Sequence, residues 1–297
     1  MTGLLFPFIQ TQKMTIAVRH WAFFFIFIFL LSGCSRTKFA YNFSDWFLLK
    51  RVNHYFNLTS EQESVLKKNI ESLLYWHRKH ELPKIIEYLT QLKILLNNNL
   101  TFENINWIKD RHRGFWKRFA RKATPDFSIF LPTVKEEQIQ HLKTRLAEKN
   151  NTLVKQTGMN DQELLEETLN WYLGTLEKWL GRFEPAQKDK IKSLVRVDPD
   201  WVRIKLENRR FFQSALVDLL RSKKTENEIH EQIIYWIDTP ENLWLTDFKI
   251  HLKKKQDEWN KIIVNTLSII NPEQKLILRK KIQHYIDDFQ DLVDSGT

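Results

Sequence analysis

Three groups of side chains have types and spacings that could do chemistry. The first is His77, Arg78 and Glu81, inside the stretch Trp76-His77-Arg78-Lys79-His80-Glu81-Leu82-Pro83. On a helix His77 and Glu81 lie one turn apart and Arg78 and Glu81 three residues apart, so all three can interact. Arg78 would then offer a fork to a carboxylate or phosphate. Alternatively, the three close on one another, satisfying a partly buried histidine and fixing a kink at Pro83. The second group is the basic run Lys109, Arg111, Arg113, Lys117 and Arg118, continued by Arg121 and Lys122. With Phe115 and Trp116 interleaved it could dock on anionic lipid, each charge contributing about 1 kcal/mol near such a surface. The simpler reading is a solvated helix face. The third is Cys34, the only cysteine in the chain.

Cys34 draws its meaning from what precedes it. Trp21–Leu31 is an uninterrupted apolar run that follows Arg19 and His20 and leads into Ser32-Gly33-Cys34. As a helix it would span about 16 Å, roughly half the hydrocarbon core of a bilayer. That length suits the h-region of a signal peptide rather than a membrane span. The small residues before the cysteine match the lipobox of bacterial lipoproteins, in which the cysteine is diacylated and becomes the first residue. An ordinary signal peptide with an incidental cysteine, or a buried apolar helix, are the alternatives. Residues 1–13 add nothing a signal needs, and Met14 would serve as a start. The expected organisation is a signal peptide over 1–33, a lipidated tether over 34–40 and a helical domain over 41–297, with two lobes dividing near 157–160. Ser35, where an aspartate would favour the inner membrane, points to the outer membrane of a bacterium.

Composition narrows the chemistry. Cleavage before Cys34 leaves 264 residues and a formal charge of +8, against +10 for the whole chain. A basic chain invites a nucleic-acid partner, but export argues against one. Lipid headgroups, lipopolysaccharide phosphates and cell-wall carboxylates are better matched to the charge. With one cysteine there is no disulfide framework and no cysteine-based metal site. His77 and His80 do not extend into a zinc motif. Glu163, Glu166 and Glu167 lack the Glu-x-x-His partner of a di-iron bundle. No metal and no cofactor are predicted, and the chain is read as non-enzymatic.

The elements that must position these groups are helices. Only seven glycines occur in 297 residues, and apolar periodicity near 3.6 is punctuated by N-cap signals. Trp46, Leu49, Val52 and Phe56 share one side of a first helix, suited to core packing or to resting on headgroups. Thr59 caps the next, which breaks at Leu82-Pro83. Thr101 opens a helix carrying Ile105, Ile108, His112, Phe115, Trp116 and Phe119 inward, and Thr124-Pro125 is expected to start a turn-rich piece. A helix from about Val134 to Gln156 stops before Gly158, and Asn160 begins one that Gly181 ends. Pro185, Pro199, Pro240 and Pro272 all fall at first-turn positions. The acidic end of the last helix opposes its dipole and is expected to fray. The fold class is all-α, an irregular multi-helix bundle.

Four of the helix starts share a pattern: Leu58-Thr-Ser-Glu-Gln62, Val134-Lys-Glu-Glu-Gln138, Phe183-Glu-Pro-Ala-Gln187 and Ile270-Asn-Pro-Glu-Gln274. In each, the glutamine can return to the cap's amide while the outer apolar residue staples onto the first turn. Their spacing of 76, 49 and 87 residues is no regular repeat. The pattern resembles the L-T-x-x-Q motif of small helical periplasmic chaperones, which implies a cradle holding unfolded clients without ATP. A wider resemblance runs through Tyr41-Asn42, Trp46, Tyr55, Gln62, the Trp76–Pro83 stretch, Gly181-Arg182 and Gln187. It is to an uncharacterised family of helical bacterial lipoproteins, and implies a lipid-anchored helical fold without an established activity. The expected role is a non-catalytic envelope protein that binds or holds another envelope component; a purely structural envelope lipoprotein is the second reading and an envelope hydrolase the third. The partners expected are a membrane, through the N-terminal lipid, and an envelope protein or anionic lipid or lipopolysaccharide.

Overall fold

The structure, a computed structural model, describes residues 36–98 and 100–295. The expected signal peptide and the lipidation site Cys34 lie outside the described residues. Among those described, every regular element is helical: twelve α-helices and two short 3-10 turns. Helix α1 (Arg36–Asn42) belongs to a first unit, Met1–Asn42. Arg36–Ala40, within the stretch read as a tether, is thus helical: Arg-Thr-Lys-Phe-Ala contains no glycine or proline to interrupt a turn.

The second unit, Phe43–Thr297, holds the other helices. They are α2 (Ser44–Phe56), α3 (Ser60–His80), α4 (Leu82–Leu95), α5 (Phe102–Phe130), α6 (Glu136–Gln156), α7 (Asp161–Leu180), α8 (Pro185–Lys192), α9 (Pro199–Arg221), α10 (Glu226–Asp238), α11 (Thr246–Ile269) and α12 (Pro272–Asp294). Helix α4 lies along α12, α10 along α5, and α9 along α6. Two core clusters result. One joins Leu66, Phe130, Leu142, Val217 and Ile229; the other joins Leu180, Ile191, Ile262 and Ile282, with Leu92 packed against it. They interleave along the chain instead of meeting at 157–160, because α9 and α10 return to the first cluster and α4 serves the second.

Local chemistry explains most boundaries. Thr59 Oγ1 accepts from the Gln62 amide at 3.3 Å and Gln62 Oε1 from the Thr59 amide at 3.0 Å, the reciprocal box expected there. Asn160 and Glu163 do the same. Gly181 ends α7 at φ +80°. Pro185, Pro199 and Pro272 open their helices, and Pro240 opens a 3-10 turn.

Four expectations are corrected. Helix α5 continues through Pro125 to Phe130. Buried hydroxyls accompany it: Thr124 Oγ1 donates to the Ala120 carbonyl and Ser128 Oγ to that of Thr124, both at 2.8 Å. Trp46 is 51% exposed and Trp116 63%, so neither faces the core; Leu49, Val52, Tyr55 and Phe56 take that place on α2. Finally, α12 runs to Asp294 without fraying, because Leu292 in its last turn is buried.

The shared glutamines do more than cap. Gln138 Nε2 donates to Gln62 Oε1 at 2.8 Å, and to the carbonyls of Phe56 and Asn57 at 3.0 and 3.1 Å. Gln62 Nε2 returns to Gln138 Oε1 at 3.3 Å and to the Thr133 carbonyl at 3.1 Å. The second pair repeats the device. Gln187 Nε2 donates to Gln274 Oε1 and to the Ile269 carbonyl, both at 2.9 Å; Gln274 Nε2 donates to Gln187 Oε1 at 3.2 Å and to the Arg182 carbonyl at 2.8 Å. Four helix starts are thus tied two by two.

Replacing Gln274→Leu strands the Arg182 carbonyl and the Asn271 amide and should cost about 2 kcal/mol in denaturant unfolding. Gln62→Leu, nearer solvent, should cost less. Equal losses at both sites would show that the pairs do not act through buried satisfaction. Gly181→Ala should lower stability by at least about 1 kcal/mol, since a Cβ there meets Ile277 Cδ1 at 2.9 Å and the backbone is left-handed.

Candidate binding cleft

The residues predicted from spacing divide at the α3–α4 kink. Glu81 sits between the two helices with its side chain 1% exposed. Its amide still donates to the His77 carbonyl and its carbonyl accepts from Ile85, both at 2.9 Å, so the backbone turns without losing either bond. The guanidinium that meets it belongs to Arg118, not Arg78. Arg118 Nε donates to Oε1 at 2.9 Å and Nη2 to Oε2 at 2.7 Å, and Lys84 Nζ donates to Oε1 at 2.9 Å. Burial alone would raise the pKa of this carboxyl; the hydrogen bonds and charges of Arg118 and Lys84 outweigh it and hold the value below the ordinary one. His77 packs edge-on against Phe119, and burial lowers its pKa against the opposing pull of Glu81. Arg78 is half-buried on the same helix. Glu81 and His77 thus tie the α3–α4 kink to α5 instead of closing with Arg78 into a cluster on one helix.

The basic run of α5 is put to several uses. Lys117 Nζ donates to the Asp238 carbonyl at 3.0 Å, and Arg121 pairs with the Asp238 carboxylate, fastening α5 to the end of α10. The Arg111 guanidinium lies 5.6 Å over the Trp107 ring. Arg111, Arg118 and Lys84 line a cleft of about 280 Å³ beside Tyr88, with Glu87 and Asp110 on its wall. Lys109 is half-buried and Arg113 exposed. The mixed charge of that cleft and the internal use of Lys117 and Arg118 leave no single cationic face of the predicted extent.

The larger cleft, about 370 Å³, escaped the sequence reading. It lies where α7, α9 and α11 converge, with Leu153 and Gln156 of α6 also in its lining. Helix α7 presents Leu164, Glu167, Thr168, Trp171 and Tyr172, a set at i, i+3, i+4, i+7 and i+8 that makes one helical face. Helix α9 adds Trp201, Val202 and Lys205, and α11 adds Lys255, Gln256 and Trp259. The Tyr172 and Trp259 rings stack 5.1 Å apart at 13°, with Trp171 5.7 Å from Trp259. Trp201 stacks on Phe248 at 5.5 Å.

The two cations of the cleft differ. Lys255 Nζ donates to Glu258 Oε2 at 2.9 Å and to the Arg196 carbonyl at 2.8 Å. Glu258 Oε1 also accepts from the Tyr172 hydroxyl at 3.3 Å and the Arg196 amide at 3.2 Å. Burial, then the charge of Glu258, pushes the Tyr172 phenol well above its ordinary pKa, so it stays protonated. Lys205 has no hydrogen bond or ion pair among the described residues; its ammonium lies 6.0 Å over Trp201. Burial and the charge of Arg209 lower its pKa. A histidine–aspartate pair, His251 Nδ1 to Asp198 Oδ2 at 2.6 Å, brings the residue that precedes α9 against α11. Among the described residues no group of three metal-binding side chains is assembled.

Residues 54–249 match a family of unknown function, DUF6279, over well over half of the chain. The chain belongs to that family. Its membership bears out the resemblance to an uncharacterised domain family, and the DUF6279 match takes in the Trp76–Pro83 stretch, the Glu81–Arg118 tie and the Gln62–Gln138 pair. It ends within α11, before Lys255, Gln256 and Trp259, so one wall of the aromatic cleft lies beyond it. No curated protein and no solved structure matches the chain.

Arg118→Ala should destabilise the fold by about 2–3 kcal/mol, because it leaves a buried carboxylate short of its bidentate partner. Lys84→Ala should cost less, its ammonium being half in water. Glu81 titrates from a lowered pKa, so its contribution is complete above the ordinary value of 4.5 and is lost as pH falls through the folded value. Unfolding midpoints of wild type and Arg118→Ala should therefore converge in acid; a gap that persists there would place the effect of Arg118 elsewhere.

Proposed function

We propose that this chain is a lipid-anchored protein of the bacterial envelope, non-catalytic, that binds another envelope component in the cleft between α7, α9 and α11. The observation that carries the reading is that cleft. A hollow of about 370 Å³ falls within the range of small-ligand sites, and Trp171, on its wall, is 59% exposed. It is far too small for an unfolded chain, which favours a discrete ligand over the cradle that the glutamine motif suggested. Those glutamines are occupied with one another and with backbone carbonyls, which also weakens a chaperone role.

Support for the membrane side comes from the sequence around Cys34 and from the aromatic residues that follow. Phe43, Trp46 and Phe47 are 48%, 51% and 52% exposed, and they begin nine residues after that cysteine. Lys50 stands 4.7 Å over the Trp46 ring. Aromatic rings beside basic residues are the composition favoured at a headgroup interface. Among the described residues no helix is long and apolar enough to cross a membrane. The proposed attachment, on the strength of the sequence around Cys34, is through acyl chains. The outer membrane is the proposed address, on the strength of Ser35. A purely structural lipoprotein is the second reading, favoured by the internal use of Glu81 and Arg118.

Two measurements test this. Metabolic labelling with a palmitate analogue should mark wild type and leave Cys34→Ala blank; equal signals remove the anchor. A photo-crosslinking residue at Gln256, on the cleft, should give an envelope adduct in cells that the same residue at the exposed Lys67 does not. Identical patterns at the two positions favour the structural protein.

A further inference from the structure

The cleft's chemistry is specific enough to name a ligand class. Its lining is aromatic: Trp259, backed by the buried Tyr172 ring stacked on it, and beside them Trp171, whose indole is mostly in solvent. Aromatic faces of this kind attract flat apolar surfaces and C–H groups carrying partial positive charge. Gln156, Glu167, Thr168 and Gln256 bring hydrogen-bonding groups to the same hollow. Gln156 Nε2 donates to Glu167 Oε1 at 2.8 Å, but an alkyl chain laid there would still cover the polar groups of Thr168 and Gln256 without offering them partners, a penalty that offsets the benefit of covering the rings. A pyranose ring suits both, because its axial C–H faces are apolar and its equatorial hydroxyls point outward around the perimeter.

Charge adds the second requirement. Lys255 is neutralised by Glu258, which is itself fixed by Tyr172 and the Arg196 amide. Lys205 retains an uncompensated positive charge in a half-buried place beside Trp201 and close enough to Arg209 to be repelled by it. The lining's one carboxylate, Glu167, is held by the Gln156 amide. Among the described residues Lys205 is thus the lining cation with no hydrogen bond or ion pair, and it matches one carboxylate, whereas a doubly charged phosphate would call for further cations. We propose that the cleft binds an acidic sugar, with the ring lying on Trp171 and Trp259 and its carboxylate meeting Lys205. This rests on the reading of the cleft as the working surface and adds the class of its occupant.

The test uses the full chain in detergent at neutral pH, titrated with glucuronate and N-acetylmuramate and with their uncharged counterparts, glucose and N-acetylglucosamine. Binding is read by saturation-transfer NMR and by tryptophan fluorescence. At least one acid should bind ten-fold or more tightly than its counterpart, and which one responds separates a uronic acid from a cell-wall sugar. Lys205→Gln should bring the acid down to the level of the neutral sugar. Trp171→Ala should weaken acid and neutral sugar together by five-fold or more without moving the melting temperature, since the indole is exposed; Trp259→Ala, partly buried, is the less clean variant. The proposal is overturned by acids and neutral sugars binding alike, by a wild-type response from Lys205→Gln, or by binding of octanoate with no response to either acid. If the sugars fail while the Gln256 crosslink persists, the ligand class is wrong and the binding surface stands.

Discussion

A glutamine side chain carries one carbonyl and one amide NH₂, and at the third position of a helix its carbonyl is already taken by the cap's N–H. The NH₂ must then find acceptors elsewhere, and in this bundle it finds them across a helix–helix junction. Gln187 and Gln274 satisfy each other and reach the last carbonyls of the segments arriving opposite, Ile269 and Arg182. The tie at Ile269 fixes the end of α11, and that at Arg182 fixes the exit from α7. Those are two of the three helices that frame the aromatic cleft. In the other core cluster Gln62 and Gln138 hold the exit of α2 and the entry to α6 by the same logic. Buried polar groups specify geometry in a way that leucine packing does not, because a slipped register would leave amides and carbonyls unpaired.

Much of the fold could be read from the sequence because it is governed locally. Caps at Thr59, Thr101 and Asn160, the stop at Gly181 and the first-turn prolines depend on residues within four positions of one another, and all fall as predicted. The errors lie where distant contacts decide. Pro125 is carried within α5 because Ala123, Thr124, Ser128 and Phe130 around it are buried, and that packing outweighs the one backbone bond the proline cannot make. The acidic terminus of α12 is ordered because Leu292 is buried, an energy larger than an unfavourable dipole interaction. Trp46 and Trp116 occupy positions on the apolar side of an ideal helical wheel, yet neighbouring helices cover only the adjacent shoulder. Periodicity gives the direction of a face to within a residue or so, and the true burial depends on where the partner helix crosses.

The site was legible in a different proportion. Glu81 stood out because a carboxylate directly before Leu-Pro, one turn after a histidine, is placed at a kink where a buried polar group is useful. Its partner could not be found, since Arg78 and Arg118 are equivalent by type and only the crossing of α3 and α5 chooses between them. The aromatic cleft left a fainter trace. Its α7 wall is a recognisable helical face, Leu164 to Tyr172, adjacent to the stripe that packs the core. Trp201 and Trp259 give no hint of convergence from their spacing alone. Three tryptophans on three helices become one surface only when the bundle closes.

The contrast between Lys205 and Lys255 then weighs the binding reading against the structural one. A bundle selected only for stability gains by pairing each half-buried charge or by moving it into water, and this chain does both freely: Arg118 on Glu81, Lys117 and Arg121 on Asp238, Lys255 on Glu258. Lys205 is left unpaired beside an aromatic ring, four residues from Arg209, where its charged form is penalised by burial and by a like charge. In the same hollow an exposed indole stands beside a stacked tyrosine–tryptophan pair, which joins an apolar surface to that charge. Neither feature alone is decisive. Together, on three different helices and around one hollow whose carboxylate, Glu167, is held by Gln156, they set an apolar face beside an unpaired cation, and one ligand carrying both complements would meet them at once.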